Sequence, residues 1–425
     1  MDHFTARAGV LHAEGVAIPA MAEAVGTPFY CYSSATMRDR YEAYAGALEG
    51  LGAKVYFAVK ANSNLAVIRT FAEAGAGADV VSIGEIRRCL SAGIPAGKIL
   101  FAGVGKTREE MAEALRLGVY QINLESEAEL RALSEVASAA GIEARAGLRV
   151  NPDVDARTHA KITTGRKENK FGIDLDATLR IFVLAASLPN VSLRSLSVHI
   201  GSQLTDISPY REAYGRLRDM TLELRAAGYV VDHLDLGGGL GIAYGAETPP
   251  DLHAYAEIVR DKVGNLGCAL SVEPGRYLVG DAGILVTRVV YVKQGAEKRF
   301  LIADAAMNDL IRPTLYEAYH EIVPVVNPDA PALNDLCDLV GPICESGDFI
   351  AQNRRLPELA EGDLLAVRSA GAYGAVMSST YNSRPLIPEV LVNGTAFAVV
   401  RRRQTVEEAM ALEAYPEWLA SGGAR

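Results

Sequence analysis

The chain has 425 residues, 49% of them hydrophobic, and a formal net charge of −10. That length exceeds one ordinary domain and predicts two, with a large buried core. The acidic balance leaves no electrostatic footprint for nucleic acid or an anionic membrane, so a small-molecule partner is expected.

The first seven residues, Met1-Asp-His-Phe-Thr-Ala-Arg, lack the basic and apolar regions of a signal peptide. No apolar run approaches the roughly 18 residues needed to span a bilayer, and a cytoplasmic protein is expected. Two strand-like runs, around 9–17 and 28–32, precede a helix over 34–48. From there, strand-like runs recur at 54–60, 78–82, 98–102, 119–124, 145–150, 195–200, 230–236 and 268–273, with helical stretches between them. Three of the helices open on the patterns Ser82-x-x-Glu85, Thr107-x-x-Glu110 and Ser126-x-x-Glu129, in which a hydroxyl can satisfy an orphan amide of the first turn. Eight βα units in about 220 residues fit a closed (β/α)8 barrel better than an open doubly wound sheet. The long polar stretch Asn151 to Gly172 reads as a loop over the barrel mouth, either a lid or an ordinary surface excursion.

After about residue 279 the pattern changes. Runs at 283–292, 298–303, 335–340, 363–368 and 396–401 are separated by Gly, Pro, Asp and Asn, which predicts a β-rich domain. The expected division is a barrel over 31–278 and a β-rich domain made of 1–30 and 279–425, the N-terminal strands pairing with the tail. Arg401-Arg402-Arg403 reads as a solvated strand end. The five cysteines form no Cys-x-x-Cys pair and are odd in number, so neither a zinc site nor a disulfide framework is indicated.

On this barrel the unusual residues fall at strand ends, where barrel enzymes place their catalytic groups. Lys60 closes the first strand, in Lys54-Val-Tyr-Phe-Ala-Val-Lys60. It is either a lysine that snorkels to solvent or a buried nucleophile whose pKa burial lowers. His199 follows the sixth strand, Gly237-Gly238-Gly239 the seventh and Glu273-Pro-Gly-Arg276 the eighth. A glycine triplet at that rim lets backbone amides approach an anion, and the loops after strands 7 and 8 are the usual phosphate grip of the fold. Each feature alone has a plain structural reading, a tight turn or a core histidine. Together, a lysine, a histidine, a carboxylate and a phosphate grip facing one mouth are what a pyridoxal cofactor needs.

The segments Tyr-Phe-Ala-Val-Lys60-Ala-Asn, Ser-Val-His199-Ile-Gly-Ser-Gln, Asp-Leu-Gly-Gly-Gly-Leu-Gly and Val-Glu-Pro-Gly-Arg276 resemble the fold-type III pyridoxal-phosphate decarboxylases. The resemblance is strongest to the branch acting on diaminopimelate, and it extends through Asp304-Ala-Ala-Met-Asn-Asp309, Arg312-Pro, Cys344-Glu-Ser-Gly-Asp348 and Gly371-Ala-Tyr-Gly374. It implies pyridoxal 5'-phosphate held by Lys60 as a Schiff base, with His199 stacked on the ring. Gly237, Gly238, Gly239, Gly275 and Arg276 would bind the phosphate, and Tyr373 would add a hydroxyl near phosphate and substrate. By the same resemblance Glu273 would keep the pyridine nitrogen protonated, where related racemases place an arginine. That difference favours decarboxylation over simple racemisation.

Substrate recognition falls, by resemblance, to Arg276, Arg312 and Tyr316 for a distal carboxylate and to Glu345 for a distal amine. Related ornithine and arginine decarboxylases carry an aspartate at the position of Glu345. Arg312 precedes a proline and is expected to be extended or in a turn. Cys344 would return a proton to the substrate carbon. Together with Glu345 it would reach into the partner's barrel, which implies a homodimer with shared sites. The expected reaction is the decarboxylation of meso-2,6-diaminopimelate to L-lysine. The readings beside it are a decarboxylase of another amino acid, such as lysine, ornithine or a carrier-bound aminoacyl group, and a non-catalytic pyridoxal-phosphate-binding homologue.

Overall fold

The computed structural model describes residues 3–155 and 170–420. Two compact units are resolved: Ser33–Gly283 with Ser369–Val376, and Phe4–Tyr32 with Ile284–Arg368 and Met377–Arg425. The central part of the expected loop over 151–172, including Arg157, His159 and Lys161, lies outside the described residues.

The first unit is a closed barrel. Its eight strands are Lys54–Ala58, Gly77–Val80, Ile99–Phe101, Gln121–Leu124, Ala144–Asn151, Val191–Ser197, His233–Asp235 and Ala269–Val272. Each pairs in parallel with the next in sequence, and the eighth returns to the first through Ser271 beside Lys54 and Val272 beside Val55. Strand alternation sends apolar residues outward to the helices, as where the Phe57 ring lies 4.4 Å from that of Phe71. Several inward positions are polar and bond to one another. Gln121 donates to Asn123 at 2.7 Å, Asn123 donates to Asp235 at 3.2 Å, and Ser195 meets His233 at 2.9 Å.

The helix starts follow from their caps. Ser82, Thr107 and Ser126 each accept the amide three residues on. Thr107 forms the reciprocal box with Glu110, whereas Glu85 and Glu129 reach one residue further back, to the amides of Val81 and Glu125. The latter two thus tie a helix start to the strand end that precedes it.

In the second unit, one sheet runs in the order Phe349–Arg354, Cys337–Val340, Arg299–Ala303, Gly283–Gln294, Phe29–Ser33, Glu389–Asn393 and Ala396–Arg401. Leu364–Val367 pairs with the long strand Gly283–Gln294 and with Ile322–Pro324. The strand read at 28–32 pairs with the tail as expected, and the run at 9–17 splits into two short strands. Phe4, Leu11, Phe29, Val286, Val390 and Val392 share one apolar core. The arginine triplet is solvated only in part. Arg402 is exposed and pairs with Glu408, whereas half-buried Arg401 pairs with buried Glu389 and Arg403 donates to the carbonyls of Thr27 and Pro28. No helix among the described residues is long and apolar enough to cross a membrane.

Candidate active site

The carboxyl ends of the barrel strands bring Lys60, His199, the glycine triplet, Glu273 and Arg276 to one mouth. Lys60 does not close the first strand. The strand ends at Ala58, and Lys60 sits in the helical turn Val59–Ala61, which aims its ammonium at the second strand. There Nζ lies 3.0 Å from Oδ2 of Asp79, whose side chain is fully buried, while 37% of the Lys60 side chain stays open. The expected lowering of the Lys60 pKa is reversed. Burial does act to lower it, but Asp79, Tyr373 and Glu273 together outweigh that and hold the ammonium above the ordinary lysine range.

His199 lies two residues beyond the sixth strand. The amide of Gly238 donates to its Nδ1 at 3.3 Å, so the ring's own proton sits on Nε2. Burial, and then the charges of Arg149 and Lys60, push its pKa well below the ordinary histidine value, and the ring is neutral.

The triplet is built from glycine for a steric reason. Gly237 and Gly239 have positive φ of 65° and 107°. A Cβ on Gly238 would stand 2.2 Å from the carbonyl oxygen of Glu273. The amide of Gly237 is committed to Asp235 at 3.1 Å and that of Gly238 to His199, whereas the amide of Gly239 donates to no acceptor among the described residues. Gly275 follows the eighth strand, where a Cβ would press on Ala61 at 3.0 Å.

Arg276 is buried, with its guanidinium between the rings of Tyr373 and Tyr244, 4.9 and 5.6 Å from their centroids. It also donates to the hydroxyls of Tyr244 and Ser202. Tyr373 reaches this unit through the segment Ser369–Val376. Its amide bonds to the carbonyl of Ala61 at 2.8 Å, and its φ of 55° is unusual for a bulky side chain.

Glu273 carries the chemistry of the floor. Burial first, then the carboxyls of Asp235 and Asp79, push its pKa well above the ordinary glutamate value, with Lys60 acting in the opposite sense. It hydrogen-bonds to Asp235, and two carboxyls so joined hold a proton between them. Apart from that shared proton, its buried Oε1 has no hydrogen-bond partner among the described residues. A buried acid that holds a proton, a lysine and a glycine cradle with an uncommitted amide fit the nitrogen, aldehyde and phosphate of a pyridoxal group. Asp79 and Tyr244 were not picked out from the sequence, and Asp235 and Ser202 stood in the resembling segments without a role. The available signal was an acid inside an apolar strand, as in Leu234-Asp235-Leu236, since a buried acid requires partners.

The other expected residues belong to the second unit. Arg312 is buried, and it opens the short helix Arg312–Tyr316 instead of lying extended. Pro313 has no amide to lose in a first helical turn, so the helix outweighs the bias on the preceding residue. Arg312 Nη1 lies 2.8 Å from Nε2 of His320. Tyr316, half-buried, ends the same helix. Cys344 and Glu345 are exposed in the loop between Cys337–Val340 and Phe349–Arg354. Asp348 holds that loop by accepting the amides of Met307 and Ile343 at 2.7 and 2.6 Å. The Cys344 amide bonds to Asn382 at 2.8 Å, and Tyr381 Oη donates to Glu345 at 3.4 Å.

A barrel with this mouth is the scaffold of the pyridoxal-dependent decarboxylases, and residues 34–280 match the family model described as the pyridoxal binding domain of pyridoxal-dependent decarboxylase. The chain is 51% identical to the diaminopimelate decarboxylase of Pseudomonas fluorescens over 97% of this chain and 99% of that one. It is 46% identical to that of Zymomonas mobilis over 99% of this chain and 100% of the other. The solved diaminopimelate decarboxylase of Helicobacter pylori, complexed with L-lysine, superposes with a TM-score of 0.89 at 39% identity, covering 93% of this chain and 98% of that one. The chain belongs to the diaminopimelate decarboxylase family.

Proposed function

We propose that this chain removes one carboxyl group from meso-2,6-diaminopimelate, using pyridoxal 5'-phosphate, and leaves L-lysine. The observation that carries the reading is the buried carboxyl of Glu273, its pKa raised, in a mouth shared with Lys60. Pyridoxal phosphate, when bound, supplies a conjugated sink for the electron pair left on the substrate carbon as CO2 departs. Glu273 holds a proton for the ring nitrogen. Lys60 would hold the aldehyde carbon through Nζ, the aldehyde oxygen leaving as water, and Asp79 Oδ2 is placed to take the proton that its ammonium must first give up. Neutral His199 offers a flat face to the ring without adding charge. Gly239, Gly275, Arg276 and Tyr373 take the phosphate.

Arg276, Arg312 and Tyr316 receive the distal carboxylate and Glu345 the distal amine, since a diacid with two amines needs partners of both signs. Cys344 returns a proton to the carbon. The exposure of Cys344 and Glu345 in a single chain supports their serving the barrel of a partner, so the working form in this reading is a homodimer. Borohydride reduction followed by peptide mapping should place the cofactor on Lys60, and a label on another lysine would contradict that assignment. Turnover of meso-diaminopimelate should far exceed that of L-lysine and L-ornithine. A preference for either of the latter would move the chain to another substrate of the same scaffold.

A further inference from the structure

His320 is fully buried, and no role was read for it in the sequence. Its two ring nitrogens have different tasks. Nδ1 lies 2.8 Å from the carbonyl oxygen of Arg368, which only accepts, so Nδ1 carries the proton. In the neutral ring Nε2 is then a lone-pair acceptor, and it receives Nη1 of Arg312 at 2.8 Å. The arrangement is suited to aiming a guanidinium. A carboxylate at this position would neutralise Arg312 and compete with an incoming anion, whereas a neutral imidazole fixes the fork and leaves its charge in place. Outside support matters here because Arg312 sits in a five-residue helix, too short to order a long side chain by itself. The same helix is tied to the Cys344–Asp348 loop by Thr314 Oγ1, which donates to the Gly347 carbonyl at 2.6 Å.

We propose that His320 is a positioning residue for substrate selection, orienting the Arg312 guanidinium toward the carboxylate that the reaction leaves intact. The inference rests on the reading that Arg312 receives that carboxylate. L-lysine retains the group, so product binding reports on it as well as substrate binding.

The test compares His320→Asn with His320→Gln in the dimeric holoenzyme. Asparagine keeps a donor near the Arg368 carbonyl but reaches no acceptor to Arg312, while the glutamine oxygen extends to the place of Nε2. His320→Asn should raise KM for meso-diaminopimelate and the Kd for L-lysine, read from the cofactor absorbance, by about tenfold, with kcat within about threefold of the parent. His320→Gln should recover most of both. An unmoved KM in His320→Asn overturns the proposal, as does an equal loss in both variants carried by kcat alone. Should His320→Asn not yield folded holoenzyme, His320→Met, which reaches Arg312 without a strong acceptor, must show the same rise. Arg312→Gln separates the two levels. If it leaves KM unmoved, the reading of Arg312 fails; if it raises KM while His320→Asn is silent, the role of His320 alone is rejected.

Discussion

Lys60 enters the site as a charged ammonium beside a buried aspartate, so its nucleophilicity depends on proton transfer and not on a depressed pKa. The apolar run around Lys60 suggested the reverse, because Asp79 is contributed by the next strand and no local pattern links the two. Glu273 shows the same limit. Its place after the eighth strand was legible, but its raised pKa comes first from burial and then from Asp235 and Asp79, which arrive from the seventh and second strands. Glu273→Gln is expected to keep cofactor binding, seen as retained absorbance, while lowering kcat by roughly 10²-fold or more, the lower end of what a positioned proton contributes. A kcat within a few fold of the parent would show that the protonated ring nitrogen is not held from this side.

At the level of elements, the barrel strands and their caps were readable because each rests on short-range information, an apolar run followed by a hydroxyl in the first turn of a helix. Of the strands that escaped, Ile322–Pro324 is three residues long and pairs with the distant Leu364–Val367, whereas Phe349–Arg354 and Glu389–Asn393 pair with their sequence neighbours Cys337–Val340 and Ala396–Arg401, the latter through a two-residue hairpin turn. The helical start at Arg312 escaped because the rule for a residue before proline competes with the tolerance of a first turn for proline, and packing decides between them. The glycine triplet was legible as a turn, but the reason for its middle residue was not. Gly238→Ala would force a methyl to within 2.2 Å of the Glu273 carbonyl oxygen, so it should shift the turn and the acid together. The expected result is a lower Tm and weakened cofactor binding, measured by fluorescence titration; cofactor affinity equal to that of the parent would mean that the two loops are not coupled.

Across the whole molecule, buried titrating groups give the fold a pH profile. The pKa of His233 falls to about 4 from an ordinary 6.5, first through burial and then through Arg145. The unfolded chain therefore takes up a proton that the folded chain refuses, and stability from this group is lost as pH falls from about 6.5 to about 4. His199 acts in the same sense, whereas raised Glu273 and Asp235 act oppositely, losing stability as pH rises above the ordinary carboxyl range. Urea denaturation at pH 7 and pH 4.5 should show a fall that shrinks by about 2 kcal/mol in His233→Asn, which can keep a bond to Ser195; an unchanged fall would place the acid sensitivity elsewhere. Shared sites make a second prediction at this scale. Lys60→Ala and Cys344→Ala chains, each inactive alone, should regain about a quarter of parental activity when mixed and allowed to exchange, because half of the dimers are then mixed and each carries one intact site. No recovery would assign both residues to the same chain's site. The most direct test of the whole account is to supply the holoenzyme with meso-diaminopimelate and, separately, the LL isomer, L-lysine and L-ornithine, and to measure CO2 release with chiral analysis of the product. L-lysine formed from the meso isomer alone is the predicted result, and CO2 from another compound in its place, or from none, would contradict it.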